Sequence, residues 1–132
     1  MSLFIIHSDG GARGNPGPAA IGVVLTCAGE VVATISKYIG ETTNNQAEYQ
    51  AVIAGLEKAL EMGAEQVECV LDSELVVKQL NHEYKVKNKD LASLFVKAHN
   101  ISLKFKKITF RHVRREYNKE ADRLVNEALD NR

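Results

Sequence analysis

Four carboxylates stand where the texture of this sequence changes. Asp9 follows the apolar run from Leu3 to Ser8 and is expected to end a first strand. Glu48 falls in the first turns of a helical stretch that opens after Thr43. Asp72 closes a second apolar run, Gln66 to Leu71, and Asp122 falls in the first turns of a last helix starting near Asn118. Any one of these could be a turn or capping residue, or an acid that favours a helix dipole. Together they imply a different chemistry. Carboxylates sharing one site repel, and one of them is pushed toward neutrality unless a cation intervenes. Mg²⁺ takes hard oxygen ligands and keeps waters and substrate phosphates for its remaining positions. Two such ions about 3.5–4 Å apart can hold the attacking water and the leaving oxygen of a phosphodiester. No side-chain nucleophile is then required, and no Cys/His cluster suits zinc.

The elements that must position these acids follow from the same sequence. Leu3 to Asp9 is rich in bulky and β-branched residues and predicts a buried strand. Gly10 to Pro18 holds four glycines and two prolines and predicts a loop. Ala19 to Cys27 and Val31 to Ile39 predict two strands joined at Ala28-Gly29-Glu30. Thr43 or Asn44 caps a helix whose Ala47, Ala51, Ala54, Leu56, Ala59 and Leu60 recur at helical spacing, and Met62-Gly63 stops it. Gln66 to Leu71 is a strand, and Glu74 to Asn81 a short helix. Lys85 to Lys89 is a polar connection. Asp90 to Ile101 is a helix with Leu91, Leu94, Phe95 and Ala98 on one face. Lys104 to Val113 alternates as a strand, and Asn118 to Leu129 is the last helix. The order β-β-β-α-β-α-α-β-α places three antiparallel strands first. The crossover through the first helix then lays the fourth strand parallel to its neighbour. Asp9 and Asp72 would meet at the C-terminal ends of parallel strands, where open α/β sheets carry their sites. Helix N-termini could deliver Glu48 and Asp122 to the same spot.

The 132 residues, 45% hydrophobic and 26% charged, fit one soluble domain spanning residues 1–132. No stretch approaches the roughly 20 apolar residues that span a bilayer. The segment Met1 to His7 lacks the basic flank and cleavage site of a signal peptide. Cys27 and Cys69 stand alone in apolar segments and read as buried free thiols of a cytoplasmic protein. The net charge is zero, yet it is unevenly spread. Residues 1–74 hold 3 basic and 10 acidic side chains, whereas residues 75–123 hold 13 basic and 5 acidic. An acidic half beside a basic half suits a protein that holds metal ions in one place and a polyanion nearby.

The sequences around the four acids carry a resemblance. Asp9-Gly-Gly-Ala-Arg-Gly-Asn-Pro-Gly-Pro18, Thr43-Asn-Asn-Gln-Ala-Glu48, Asp72-Ser73 after a strand, and Asn118-Lys-Glu-Ala-Asp122 with Leu124 resemble, in order, the four motifs of the ribonuclease H type 1 family. The resemblance runs along nearly the whole chain. It implies an α/β, ribonuclease H-like fold: a five-stranded mixed sheet, three antiparallel strands then two parallel, with helices on both faces. It implies that Asp9, Glu48, Asp72 and Asp122 bind two Mg²⁺ ions, with Mn²⁺ as a substitute. It implies endonucleolytic cleavage of the RNA strand of an RNA·DNA hybrid, leaving 5′-phosphate and 3′-hydroxyl ends. Some archaeal-type members also cut double-stranded RNA, so that substrate stands beside the hybrid. A monomer without an obligatory protein partner or a membrane is expected.

The family reads 2′-hydroxyls through loop backbone and polar side chains, which carries over to Gly10, Gly11, Asn15, Asn45 and Glu48. The 2′-hydroxyl separates RNA from DNA and lies in the minor groove. Asn15 and Thr43 match positions that hold a phosphate of the DNA strand, and Asn44 and Ser73 complete the motif residues expected at substrate. Three departures stand out. The segment Asn81 to Leu91 is too short for the basic helical handle of some members, which leaves the looser Lys85, Lys87 and Lys89. Glu74 stands where many members carry glutamine. The loop Arg114-Arg-Glu-Tyr-Asn118 offers arginine where many members place a mobile histidine. Arg115, then Arg114, is expected to assist the leaving group or product release, with His112 as the alternative inside its strand.

Overall fold

The structure, a computed structural model, describes residues 3–132. Met1 and Ser2, where the segment read for a signal peptide begins, lie outside the described residues. The strands are β1 (Leu3–Ala12), β2 (Gly17–Cys27), β3 (Glu30–Thr42), β4 (Gln66–Leu71) and β5 (Lys107–His112). The helices are α1 (Asn44–Glu61), α2 (Glu74–Leu80), α3 (Lys89–Ser102) and α4 (Lys119–Asp130), with a short 3₁₀ turn at Arg115–Tyr117. The strands form one sheet in the order β3-β2-β1-β4-β5. β1 pairs antiparallel with β2 and parallel with β4, β2 pairs antiparallel with β3, and β5 is parallel to β4. This is the mixed sheet expected, with its most buried strands in the middle.

Alternation along the strands divides the molecule into two layers of packing. Phe4 and Ile6 of β1, Ile21, Val23 and Leu25 of β2, and Val67, Cys69 and Leu71 of β4 meet α1 and α3 in the main core. Tyr49, Val52 and Leu56 of α1 and Leu91, Ala98 and Ile101 of α3 close it. On the opposite face α4 packs through Val125 and Leu129 onto Ala20. There α4 rests directly on β2, because a Cβ built at Gly22 would lie 2.1 Å from the Ala121 carbonyl oxygen. Helices therefore cover both faces.

The start of α1 is set by a reciprocal cap. Thr43 Oγ1 accepts from Gln46 N at 3.2 Å, and Gln46 Oε1 accepts from Thr43 N at 3.1 Å. Its end is followed by Gly63 at φ 81°, a left-handed conformation that glycine adopts without strain. The buried Tyr49 hydroxyl donates to Gln79 Oε1 at 2.6 Å and ties α1 to α2.

Several boundaries differ from expectation. β1 does not end at Asp9. Gly10, Gly11 and Ala12 pair with Ile21, Ala20 and Ala19, so the expected loop from Gly10 to Pro18 shrinks to residues 13–16. Glycine lowers strand propensity, and here ladder hydrogen bonds override it. β3 runs on to Thr42. β5 begins at Lys107 instead of Lys104, Phe105 being buried in the main core ahead of the first paired residue. α3 starts one residue early, capped by Asn88. Both cysteines are free, but only Cys69 is buried, Cys27 being partly exposed. Among the described residues, no helix is long and apolar enough to cross a membrane.

Candidate active site

The sheet opens at one point. The β1–β4 ladder ends at Ser8 opposite Leu71, while the β1–β2 ladder continues to Ala12 opposite Ala19. Asp9 is the first residue of β1 beyond the fork, and Asp72 is the first residue after β4. Glu48 reaches the same place from α1, where its Oε1 accepts from Gly10 N at 2.7 Å. That approach requires glycine, because a Cβ at Gly10 would lie 2.2 Å from the Ala47 carbonyl oxygen. Asp9, Glu48 and Asp72 each offer a carboxylate oxygen, and these atoms all lie within 4.8 Å of one another. Asp122, in the first turn of α4, lines the same cleft as Asp9 and is close enough to raise the Asp9 pKa. Thus β1, α1, β4 and α4 each contribute one acid to one rim of the sheet.

The electrostatics follow from this crowding. Burial first, then the charges of Asp72 and Asp122, push the Asp9 carboxyl up to about 8. Glu48 is raised well above the carboxylate range by burial and by Asp9 and Asp72, against the opposing Gly10 N–H. Asp72 is raised by burial, while the Arg115 guanidinium pulls it down. Arg115 lies 3.8 Å from Asp122 Oδ1 and lines the same cleft as Asp9, Gly10 and Gly11. Arg114 instead faces Glu116 at 3.9 Å and does not line the cleft. His112 ends β5 opposite Leu71 and is close enough to lower the Asp72 pKa.

A second concavity of about 200 Å³ lies beside the rim, lined by Asn15, Thr43, Asn45, Gln46, Asn88 and Asp90. Asn44 does not line it. Its Oδ1 accepts from Ala12 N at 2.8 Å and its N–H donates to Asn15 Oδ1 at 2.9 Å, which ties the start of α1 to the end of β1 and the turn that follows. Ser73 caps α2, its Oγ accepting from Val76 N at 3.3 Å. Sequence reasoning misses Asn88. Its signal is the Asn-Lys-Asp-Leu start of α3, where it caps Asp90 N at 2.8 Å.

Residues 7–128 match the family model described as reverse transcriptase-like. A bifunctional protein of Mycobacterium tuberculosis is 44% identical over 128 residues, covering 96% of this chain and 35% of its own length. The chain thus spans about a third of that relative. The solved RNase H1 of Halobacterium salinarum superposes with a TM-score of 0.96 at 44% identity, covering 98% of this chain and 99% of that one. The chain belongs to the ribonuclease H type 1 family. Another solved ribonuclease H of this type, LC11-RNase H1 in complex with an RNA/DNA hybrid, is 48% identical with a TM-score of 0.92 over 97% of each chain.

For a ribonuclease H, the donor set on this rim fits hard divalent cations. Asp9, Glu48 and Asp72 offer oxygen only, and no histidine or cysteine joins them. Burial first, then the neighbouring carboxylates, raise Asp9 and Glu48, and a bound dication would favour their charged forms.

Proposed function

We propose that residues 1–132 form one ribonuclease H domain that hydrolyses the RNA strand of RNA·DNA hybrids and leaves 5′-phosphate and 3′-hydroxyl ends. The observation that carries this reading is the convergence of Asp9, Glu48 and Asp72 within 4.8 Å, with Asp122 in the same cleft as Asp9, in a chain of this family. Two Mg²⁺ ions, or Mn²⁺, held by these four acids would neutralise the scissile phosphate and lower the pKa of an attacking water. Asp9 and Asp72 would anchor the ions from the strand ends, and Glu48 and Asp122 would complete the set from the two helices. Gly10 and Gly11 present backbone to the minor groove, where Asn45 and Glu48 read 2′-hydroxyls. Asn15 and Thr43 hold a phosphate of the DNA strand in the polar concavity, with Asn88 on its far wall. Ser73 borders the rim after Asp72. Arg115 offsets charge on the leaving group, a role its contact with Asp122 supports over Arg114. Double-stranded RNA is the second substrate, since it shares the A-form minor groove and its 2′-hydroxyls. All these groups come from one chain, in keeping with a monomer, and its free thiols suit the cytoplasm.

The test is a cleavage panel on labelled hybrid, double-stranded RNA and DNA duplex, with Mg²⁺ and with chelator. Metal-dependent cutting of hybrid but not of DNA is expected. Asp9→Asn should lower hybrid cleavage by at least on the order of 10²-fold, the scale for losing one group that stabilises reacting charge, with hybrid binding retained. Wild-type cleavage by Asp9→Asn would overturn the site.

A further inference from the structure

Asn118 is 1% exposed at the start of α4, yet its side chain makes no cap for that helix. An asparagine at a helix start ordinarily turns its oxygen to the first free N–H groups. Here Nδ2 crosses to the other end of the chain and donates to the Ser8 carbonyl at 2.9 Å. Ser8 is the last residue of β1 paired with β4, directly before Asp9. The Asn118 carbonyl, in turn, accepts from Asp122 N at 3.1 Å. One residue thus grips the backbone beside Asp9 with its side chain and the backbone of Asp122 with its own carbonyl. The remaining atom, Asn118 Oδ1, is buried with no partner among the described residues. Leaving a buried amide oxygen unpaired is unfavourable, so neither capping nor full pairing explains the choice of asparagine. The grip on Ser8 does.

We infer that Asn118 is a positioning residue that sets Asp122 against Asp9, and so completes the cation site from the α4 side. The inference rests on the metal reading above. It separates Asn118 from a tie farther along α4. Ser36 Oγ donates to the Leu124 carbonyl at 2.7 Å, which holds the helix to β3 but not to the rim.

The experiment is calorimetric titration of Mn²⁺ into the full chain, with thermal unfolding and hybrid binding alongside. Asn118→Ala should weaken Mn²⁺ binding about tenfold, the lower end of what removal of an outer-shell partner causes. Asn118→Asp keeps the volume, removes the donor to Ser8, and should act in the same direction should the alanine variant fail to fold. Ser36→Ala should lower the melting temperature and leave Mn²⁺ affinity within about twofold, since it acts on docking alone. Hybrid binding without metal should hold in all three. Wild-type Mn²⁺ affinity in the folded Asn118 variants would overturn the inference, as would an equal loss in Ser36→Ala. Asp9→Asn in the same titration separates the two readings. Full Mn²⁺ binding there removes the metal site and this inference with it. Binding lost there but kept in Asn118→Ala removes this inference alone.

Discussion

Asp9 concentrates the chemistry of the site into one residue. It sits just past the last β1–β4 pair, buried among three other acids, and its carboxyl is held up at about 8 against an ordinary value of 3.8. A carboxyl whose pKa rises on folding binds its proton more tightly in the folded chain. Its contribution to stability is complete below the unfolded value and is lost as pH climbs toward the folded one. The metal-free protein should therefore lose stability between about pH 4 and pH 8, and Asp9→Asn should lose less, read as melting temperature against pH in chelator. The comparison cancels His7, whose pKa burial lowers. Saturating Mg²⁺ should flatten the wild-type profile. The four acids can be found by their places at strand ends and helix starts. Asn118 can be found as the first residue of the fourth motif, but its hold on Ser8 cannot, because that bond spans 110 positions and sequence spacing carries no trace of it.

The elements place these residues through packing that tolerates little change. Gly22 lets α4 lie on β2, so Gly22→Ala should destabilise by about 1–3 kcal/mol, the range for forcing an extra methyl into a packed interface. It should also lower hybrid cleavage, since α4 carries Asp122; denaturant unfolding and the cleavage assay check both. Tyr49→Phe leaves Gln79 Oε1 without its donor in the core and should lose about 1–3 kcal/mol, the scale for a buried group deprived of its partner. Local chemistry explains which elements are legible in the sequence. Thr43 announces the start of α1, and Gly63 its end, because caps act within a few residues. The tail of β1 is hidden, since Gly10 and Gly11 are weak strand formers held in place only by partners in β2. Phe105 obscures the start of β5 because an apolar residue buried in the core just before a strand is indistinguishable, in sequence, from one inside it.

Over the whole molecule, the two charge populations read from the sequence are used differently in space. Many of the basic side chains in the second half are paired: Lys106 with Glu65, Arg111 with Glu68, and Arg123 with Glu120 and Glu127. Lys85, Lys87 and Lys89 lie exposed in and beside the α2–α3 connection and form no ion pair among the described residues. Replacing all three by glutamine should leave the melting temperature nearly unchanged. Hybrid affinity should fall, and its dependence on log salt should become shallower by about 0.7–0.9 for each phosphate no longer neutralised, measured by binding titrations across salt concentrations. The fork in the sheet bears on how such a chain can vary over evolutionary time. Adding one amino acid inside β4 would swap the side to which Asp72 points, and adding two would restore the side but carry it about 6–7 Å onward. Residues 13–16 and the stretch between α2 and α3 lie outside that count. Insertions and deletions among descendants of this chain should accumulate in those two places and spare the six positions of β4.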